Sequence, residues 1–331
     1  MSYTTPGYED FELSTQLLVA EALRRGHQVE VLDRAESFIR ITGNNRVEYI
    51  RQATRTDADT YIAPLIMENK QVTKKILREA GIRVPDGCAF TSEPEMRASW
   101  PEWKDRAFVI KPNTTNFGKG VAMFPAGASK EAFVHAVKNA FAMDKQVLLE
   151  LLISGKEYRF LVIGDFVRAV LHRVPANIVG DGTRSIRELV AEKNRNPLRQ
   201  EGYISPLEKI ALGAEEAAFL AGRSMDFDTV PPKGETVFLR ENSNISTGGD
   251  SIDSTDTVHA GYKDLAFAAA SAVGARICGV DLIAGDITTQ PDDTNYAIIE
   301  LNFNPALHIH DFPHQGQNRK TGGHVLNLLG L

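Results

Sequence analysis

Cysteine is scarce in this chain: Cys88 and Cys278 stand far apart among 331 residues, in no zinc-like spacing. That excludes a disulfide-dense secreted scaffold and fits a reducing cytoplasm, with both thiols read as core or surface residues without chemistry. Long apolar runs are missing too. The longest weakly polar stretch, residues 265–275, is mostly alanine, closes at Arg276 and is too short to span a bilayer. Residues 2–10 are polar, with no basic segment leading into an apolar one, so no signal peptide is expected. Positive charge is not in excess: the formal net charge is −6, which leaves no electrostatic footprint for nucleic acid. A Walker A loop, internal repeats and low-complexity tracts are all absent. What is present, 43% hydrophobic and 24% charged residues, is ordinary for a globular chain large enough for two or three lobes.

Chemistry concentrates near the end of the chain. Residues 279–284 (GVDLIA) and 296–301 (YAIIEL) read as buried strands joined by a polar loop. Asp281 lies inside the first, Glu300 near the end of the second, and Asn302 two residues on, so Glu300 and Asn302 project to one face. One carboxylate in an apolar strand is ordinarily a salt bridge or a cap. Three oxygen-bearing side chains converging from paired strands point instead to a hard divalent cation, and Mg²⁺ is usually held by one or two carboxylates together with substrate phosphates.

Upstream, residues 12–25 have helical periodicity with Gly26 as a stop, 28–33 alternate like a strand, and 37–50 read as a hairpin around Gly43. Residues 1–68 are taken as a small α/β segment, 69–153 as a first lobe and 154–331 as a second. A helix from about Asn69 to Ala80 carries Lys70, Lys74 and Lys75. Lys74 or Lys75 reads as a solvated face residue, and Lys70, in the first turn, as the lysine that reaches a cleft. Strand 107–111 ends in Lys111 and runs into PNTTNFGKG, whose Gly118 and Gly120 permit close backbone approach to an anion. Ser129 caps a helix over 130–142, and residues 146–153 form an apolar strand carrying Glu150. A hairpin over 157–174 carries Arg159, Arg168 and Arg173, of which Arg173, beside Pro175, is placed in a cleft. Ser185 and Glu188 make a capping box, residues 195–233 give no clear pattern, and 240–259 read as a long irregular segment. A helix over 261–275 then leads back to the Asp281 strand.

In this order the elements resemble the ATP-grasp superfamily of carboxylate–amine ligases, an α+β fold in which two lobes grip ATP. The resemblance extends from Phe11 onward. MENKQVTKKIL, TTNFGKG, ELLISGKE, LHRVPANIVGDGTRSIREL, NSNISTGGDSID and ELNFNPALHIH look like the C-terminal glutathione-synthetase module of the fused bacterial γ-glutamate–cysteine ligase/glutathione synthetase. The ligase half of that fusion is absent from the sequence, and the NxSTGG segment is shared with cyanophycin synthetase, which keeps another amino-acid pair open. The resemblance implies ATP and two Mg²⁺ ions, with Mn²⁺ as a substitute, a dipeptide and an amino acid as substrates, and a homodimer. Lys70 and Lys111 would contact phosphates, with Thr115, Asn116, Gly118 and Gly120 folding over them. Glu150 and the backbone near Ile153 would meet adenine, and Glu157 the ribose. Asp281, Glu300 and Asn302 would hold the metals, Arg173 would stabilise the transferring group and the later oxyanion, and Asn242, Thr247, Gly248, Gly249 and Asn304 would touch substrate.

Two rival readings are weighed. His308, His310 and His314 in HIHDFPH look like a zinc cluster, but their spacing departs from the usual one, and they are read as hydrogen-bonding groups near the metal site. A non-catalytic ATP-binding module is disfavoured, because every phosphate and metal position of the resemblance is filled. Residues 113–120, glycine-bearing and nearly without apolar anchors, are expected to close as a lid over the nucleotide.

Overall fold

Apolar residues at helical and two-residue spacings sort this α+β chain into elements whose buried faces build two compact units in a computed structural model. It describes residues 3–115 and 118–331. One unit comprises residues 1–58, 157–258 and 304–331, and the other residues 59–156 and 259–303. These boundaries differ from a three-part division at 68/69 and 153/154. The Asp281 and Glu300 strands share a unit with Lys70 and Lys111, whereas Glu157 and Arg173 belong to the other.

In the first unit, the helix Leu13–Arg24 is followed by an antiparallel meander of Gln28–Asp33, Phe38–Gly43 and Arg46–Arg51. Asn44 and Asn45 both take positive φ at the second turn, a conformation that asparagine tolerates better than most residues. Strands Lys156–Ile163, Phe166–Val174 and Asp250–Asp253 pair antiparallel in that order. The last of these corrects the irregular reading of 240–259. Asp250 and Ser251 are buried and hydrogen-bonded, so tertiary partners make a strand of a sequence that is polar throughout. Ser185 and Glu188 form the expected capping box for Ile186–Lys193. The unpatterned stretch beyond it holds a short parallel bridge of Arg199–Gln200 with Leu207–Glu208 and the helix Ala214–Ala221.

The second unit contains a four-stranded antiparallel sheet in the order Gly87–Phe90, Val147–Leu151, Phe108–Pro112, Ala122–Phe124. Phe108, Phe133, Trp100, Trp103 and Phe124 pack over it with ring centroids 5.0–6.4 Å apart. Burying each large apolar side chain contributes on the order of 1.5–3 kcal/mol, and this cluster packs against the strand that carries Lys111. Helices Ile62–Glu68 and Lys70–Glu79 follow each other with only Asn69 between them. The helix Ala260–Ala272 precedes the hairpin of Ile277–Ala284 and Tyr296–Asn302, so it starts one residue before and ends three before the expected bounds. Among the described residues no helix is long and apolar enough to cross a membrane.

Candidate active site

In the second unit, the start of the helix Lys70–Glu79 is held by two asparagines. Asn69 caps it by accepting from Val72 N at 3.1 Å. Asn113, just beyond the strand of Lys111, accepts from Lys70 N at its carbonyl (3.3 Å) and from Gln71 N at Oδ1 (2.9 Å). The first three backbone donors of the helix, which have no partner inside it, are thereby satisfied. A lysine in a first turn opposes the positive end of the helix dipole. Here Lys70 Nζ lies 3.1 Å from Glu300 Oε1 and donates to Thr115 O at 2.7 Å, so neighbouring negative charge offsets that penalty.

The hairpin places Asp281 directly opposite Glu300 and Gly279 opposite Asn302, with a bulge just after Asp281. Asn302 Nδ2 donates to Asp281 Oδ2 at 3.1 Å. Asp281, Glu300 and Asn302 therefore gather on one face: the two-residue spacing predicted this for Glu300 and Asn302, and the hairpin register adds Asp281. The donor set is all oxygen once the Asn302 amide turns about its last bond, two carboxylates and one carbonyl, which matches a hard cation whose remaining ligands are phosphates. These residues fit Mg²⁺.

Behind them lies a buried charge cluster. Glu150 and Lys74 are each only 3% exposed. Glu150 Oε1 is paired with Lys74 Nζ, and Oε2 lies 2.8 Å from Lys111 Nζ. Burial pushes the Glu150 carboxyl up, but the Lys111 and Lys74 charges outweigh it and hold it below its ordinary value. For Lys111, burial is outweighed by Glu150 and the ammonium is strengthened. Burial, with the Lys111 charge, drives Lys74 well below an ordinary lysine. Of the two lysines read as a solvated face, only Lys75 is solvated. The signal for Lys74 was its spacing: residues four apart on a helix share a face, so an inward Lys70 implies an inward Lys74.

In the first unit, Glu157 and Arg173 face each other across paired strands, with Arg173 Nη1 2.9 Å from Glu157 Oε1. Arg173 Nη2 donates to Asn244 Oδ1 at 2.5 Å, and Ser243 Oγ donates to Glu157 Oε2. Thr247 Oγ1 donates to Asn242 Oδ1 at 2.9 Å. The segment NSNISTGG is thus tied to the strands by its side chains and turns at Gly248, where φ is +92°. A Cβ on Gly249 would lie 2.8 Å from both the Asn244 and Val174 carbonyl oxygens, so only glycine fits. Behind this turn, Arg199 donates to Gly248 O at 3.0 Å and Gly249 O at 3.2 Å and pairs with Asp250. Lys193 holds the other oxygen of Asp250 at 2.6 Å. Ser243, Asn244 and the Arg199–Asp250–Lys193 cluster were not singled out from the sequence, because serines, asparagines and scattered charges look alike wherever they stand.

The remaining expected positions are dispersed. Thr115 Oγ1 donates to Lys119 O, Gly118 and Gly120 take φ of +72° and +75°, and Asn116 lies outside the described residues. Ile153 is half-buried beyond the end of its strand. Asn304, at φ +53°, accepts from Thr54 Oγ1 at 2.6 Å. His308 Nδ1 meets Ser14 Oγ at 3.0 Å, and His310 is fully buried. Among the described residues, no group of three or more His, Cys, Asp and Glu side chains is placed to hold a metal ion, so the three histidines form no zinc cluster there.

With this geometry in place, the relationships to known proteins become informative. A family model described as an ATP-grasp-like domain matches residues 9–62. The chain is 52% identical to the glutathione biosynthesis bifunctional protein GshAB of Clostridium perfringens, over 98% of this chain and 42% of that protein. It is 48% identical to the protein of the same name from Desulfotalea psychrophila, again over 98% and 42%. The crystal structure of a bifunctional glutathione synthetase from Pasteurella multocida superposes with a TM-score of 0.78 at 44% identity, covering 99% of this chain and 45% of that one. The α+β fold of the chain is the ATP-grasp fold. Within that class it is a homologue of the bifunctional glutathione biosynthesis proteins, and it spans less than half the length of the curated relatives it matches.

Proposed function

We propose that this chain is an ATP-dependent carboxylate–amine ligase module that joins γ-glutamylcysteine to glycine, giving glutathione, ADP and phosphate. The observation that carries the reading is the relationship at about half identity over nearly the whole chain to proteins named for glutathione biosynthesis. The convergence of Lys70, Lys111, Asp281, Glu300 and Asn302 supports it chemically. Those relatives are called bifunctional, so a γ-glutamate–cysteine ligase activity is the partner reaction we expect alongside this one. The two free cysteines, Cys88 and Cys278, suit a cytoplasmic setting.

In this reading Asp281, Glu300 and Asn302 hold Mg²⁺, which when bound neutralises the β- and γ-phosphates. Lys70 and Lys111 act as point charges on the same phosphates. Thr115, Gly118 and Gly120 supply backbone donors, and Glu157 accepts from the ribose hydroxyls. The γ-phosphoryl group passes to the dipeptide carboxylate, the amine attacks the resulting acyl phosphate, and phosphate leaves. Arg173 stabilises negative charge on the transferring group and on the oxyanion that follows. Asn242, Thr247, Gly248, Gly249 and Asn304 orient the substrates, and exclusion of water protects the acyl phosphate from hydrolysis.

The test is ADP release measured across a panel of carboxylates and amines with ATP and Mg²⁺. We expect release to require γ-glutamylcysteine and glycine together, with glutathione as the product. Release that responds only to another pair overturns the substrate assignment and leaves the ligase class standing. Release that needs neither substrate overturns both.

A further inference from the structure

In the first unit, residues 304–311 are gripped by the N-terminal part of the chain, within the stretch that the ATP-grasp-like family model matches. Ser14 Oγ, 2% exposed, accepts from Leu307 N at 3.0 Å. Thr54 Oγ1 donates to Asn304 Oδ1 at 2.6 Å, and Asn304 Nδ2 donates to Gln52 Oε1 at 3.3 Å. Both partners of Asn304 thus come from one turn. Its backbone is unusual: Gln52 and Ala53 stand side by side at φ of +50° and +61°, and Asn304 itself is at +53°. Left-handed backbone is uncommon for residues that carry a Cβ and persists where the surroundings fix it. Here they do. Ala53 is fully buried, Thr54 is 2% exposed, and Arg51 and Arg55 exchange both backbone hydrogen bonds across the turn at 3.0 and 3.1 Å.

We propose that Thr54 and Gln52 are positioning residues, which hold the half-buried Asn304 amide so that it donates to a substrate carboxylate. The proposal rests on the substrate contact given to Asn304 in the proposed function. A primary amide has two N–H donors and one carbonyl oxygen. With Thr54 on the oxygen and Gln52 on the nitrogen, the side chain is held at both ends. Among the described residues these are its hydrogen bonds, which leaves the second N–H to donate. A carboxylate oxygen is the acceptor that gains most, because the bond is then charge-assisted. A side chain already held in place also needs little further ordering when the ligand arrives. Both substrates of the proposed reaction, the dipeptide and glycine, bring a carboxylate. The strained turn therefore acts at a distance from the chemistry, through Asn304.

The experiment uses the full chain and measures KM for ATP, γ-glutamylcysteine and glycine separately from ADP release, with thermal melts alongside. Thr54→Val keeps the shape of the side chain and removes the hydroxyl. It is expected to raise KM for one substrate, the dipeptide or glycine, by roughly tenfold, the scale of one hydrogen bond to a charged group, and to leave KM for ATP within about twofold. The substrate whose KM rises is the one that Asn304 meets. Asn304→Ala should raise the same KM, and adding Thr54→Val to it should cost nothing more, because Thr54 acts through Asn304. Thr54→Ser restores the hydroxyl and should restore KM. Ser14→Ala, which removes the brace on Leu307, should lower the melting temperature and leave every KM as it was. If Thr54→Val fails to fold, Gln52→Met must show the same single-substrate rise. Losses that add in the double variant, a rise in all three KM values together, or the same pattern in Ser14→Ala would overturn the proposal and leave the reaction standing. A wild-type chain inactive with γ-glutamylcysteine and glycine would overturn the substrate reading and this proposal with it.

Discussion

Each unit buries one carboxylate between two cations, and the two clusters use their charges differently. In one unit Asp250 is held by Lys193 and Arg199; in the other Glu150 is held by Lys74 and Lys111. Arg199, 0% exposed in its side chain, also donates to three backbone carbonyls, those of Glu208, Gly248 and Gly249. A guanidinium has five donors in a rigid fork and is charged at every relevant pH, so it suits a permanent clamp on the chain itself. The lysine cluster places a compact ammonium against each carboxylate oxygen. Burial lowers Lys74, whereas at Lys111 burial is outweighed by Glu150 and the net direction is upward. The same balance of charge thus braces a turn in one unit and holds two lysine side chains against a strand carboxylate in the other.

The contrast predicts where damage appears. The largest effect is expected at Glu300, whose carboxylate we propose as a metal ligand. Glu300→Gln removes a negative ligand beside Lys70 and should lower turnover by a thousandfold or more, which is about 4 kcal/mol of transition-state stabilisation, with the melting temperature nearly unchanged. Near-normal turnover at saturating Mg²⁺ would take Glu300 out of the site.

Arg199→Met should do the reverse, costing stability before chemistry. It leaves Asp250 short of a partner and strips donors from the Gly248 and Gly249 carbonyls. Removing one member of a buried ion pair costs roughly 3 kcal/mol or more, so the urea midpoint should fall clearly. Arg199→Lys should recover only part of this, because one ammonium cannot span a carboxylate and three carbonyls. Full recovery by lysine would erase the distinction between the two clusters.

A smaller loss is expected for Lys193→Met, about 1–2 kcal/mol, because Arg199 and Asn177 still hold Asp250. Urea unfolding checks it. A loss equal to that of Arg199→Met would mean that the arginine has no special part.

The smallest effect concerns pH and His314, which faces Asp250, Lys193 and Arg199. Burial lowers its imidazole from the ordinary 6.5; Asp250 works against that, and Lys193 and Arg199 add to it. The unfolded chain therefore takes up a proton near pH 6.5 that the folded chain takes up only at lower pH. Its neutral imidazole destabilises nothing above about pH 6.5. Stability should fall as the pH drops below that value and level off below the folded-state pKa. His314→Gln should flatten this part of the stability profile, as measured by urea titrations between pH 5 and 7 at roughly half-unit steps. An unchanged slope would show that the histidine carries no such linkage.

Much of this was legible from local pattern. The shared face of Asp281, Glu300 and Asn302 was legible because a strand alternates faces and a carboxylate in an apolar strand stands out. Lys111 was found at the end of an apolar run, and the caps at Ser129 and Ser185 were read from their positions. Lys74 was misread, although helical spacing from Lys70 carried the signal. Asn113 was passed over: as a polar residue in a glycine-bearing loop it looks like turn chemistry, yet it is 2% exposed and joins helix to sheet.

Periodicity, capping and the spacing of charges were sufficient for the elements and for the candidate metal face, because those depend on neighbours within a few residues or on one hairpin. Which charges are buried together was decided only in the folded chain. Glu150 and Lys74 are 76 residues apart, and Arg199 and Asp250 are 51. The cost of burying any one of them is met by a partner that the chain brings in from far away, and no local rule names that partner.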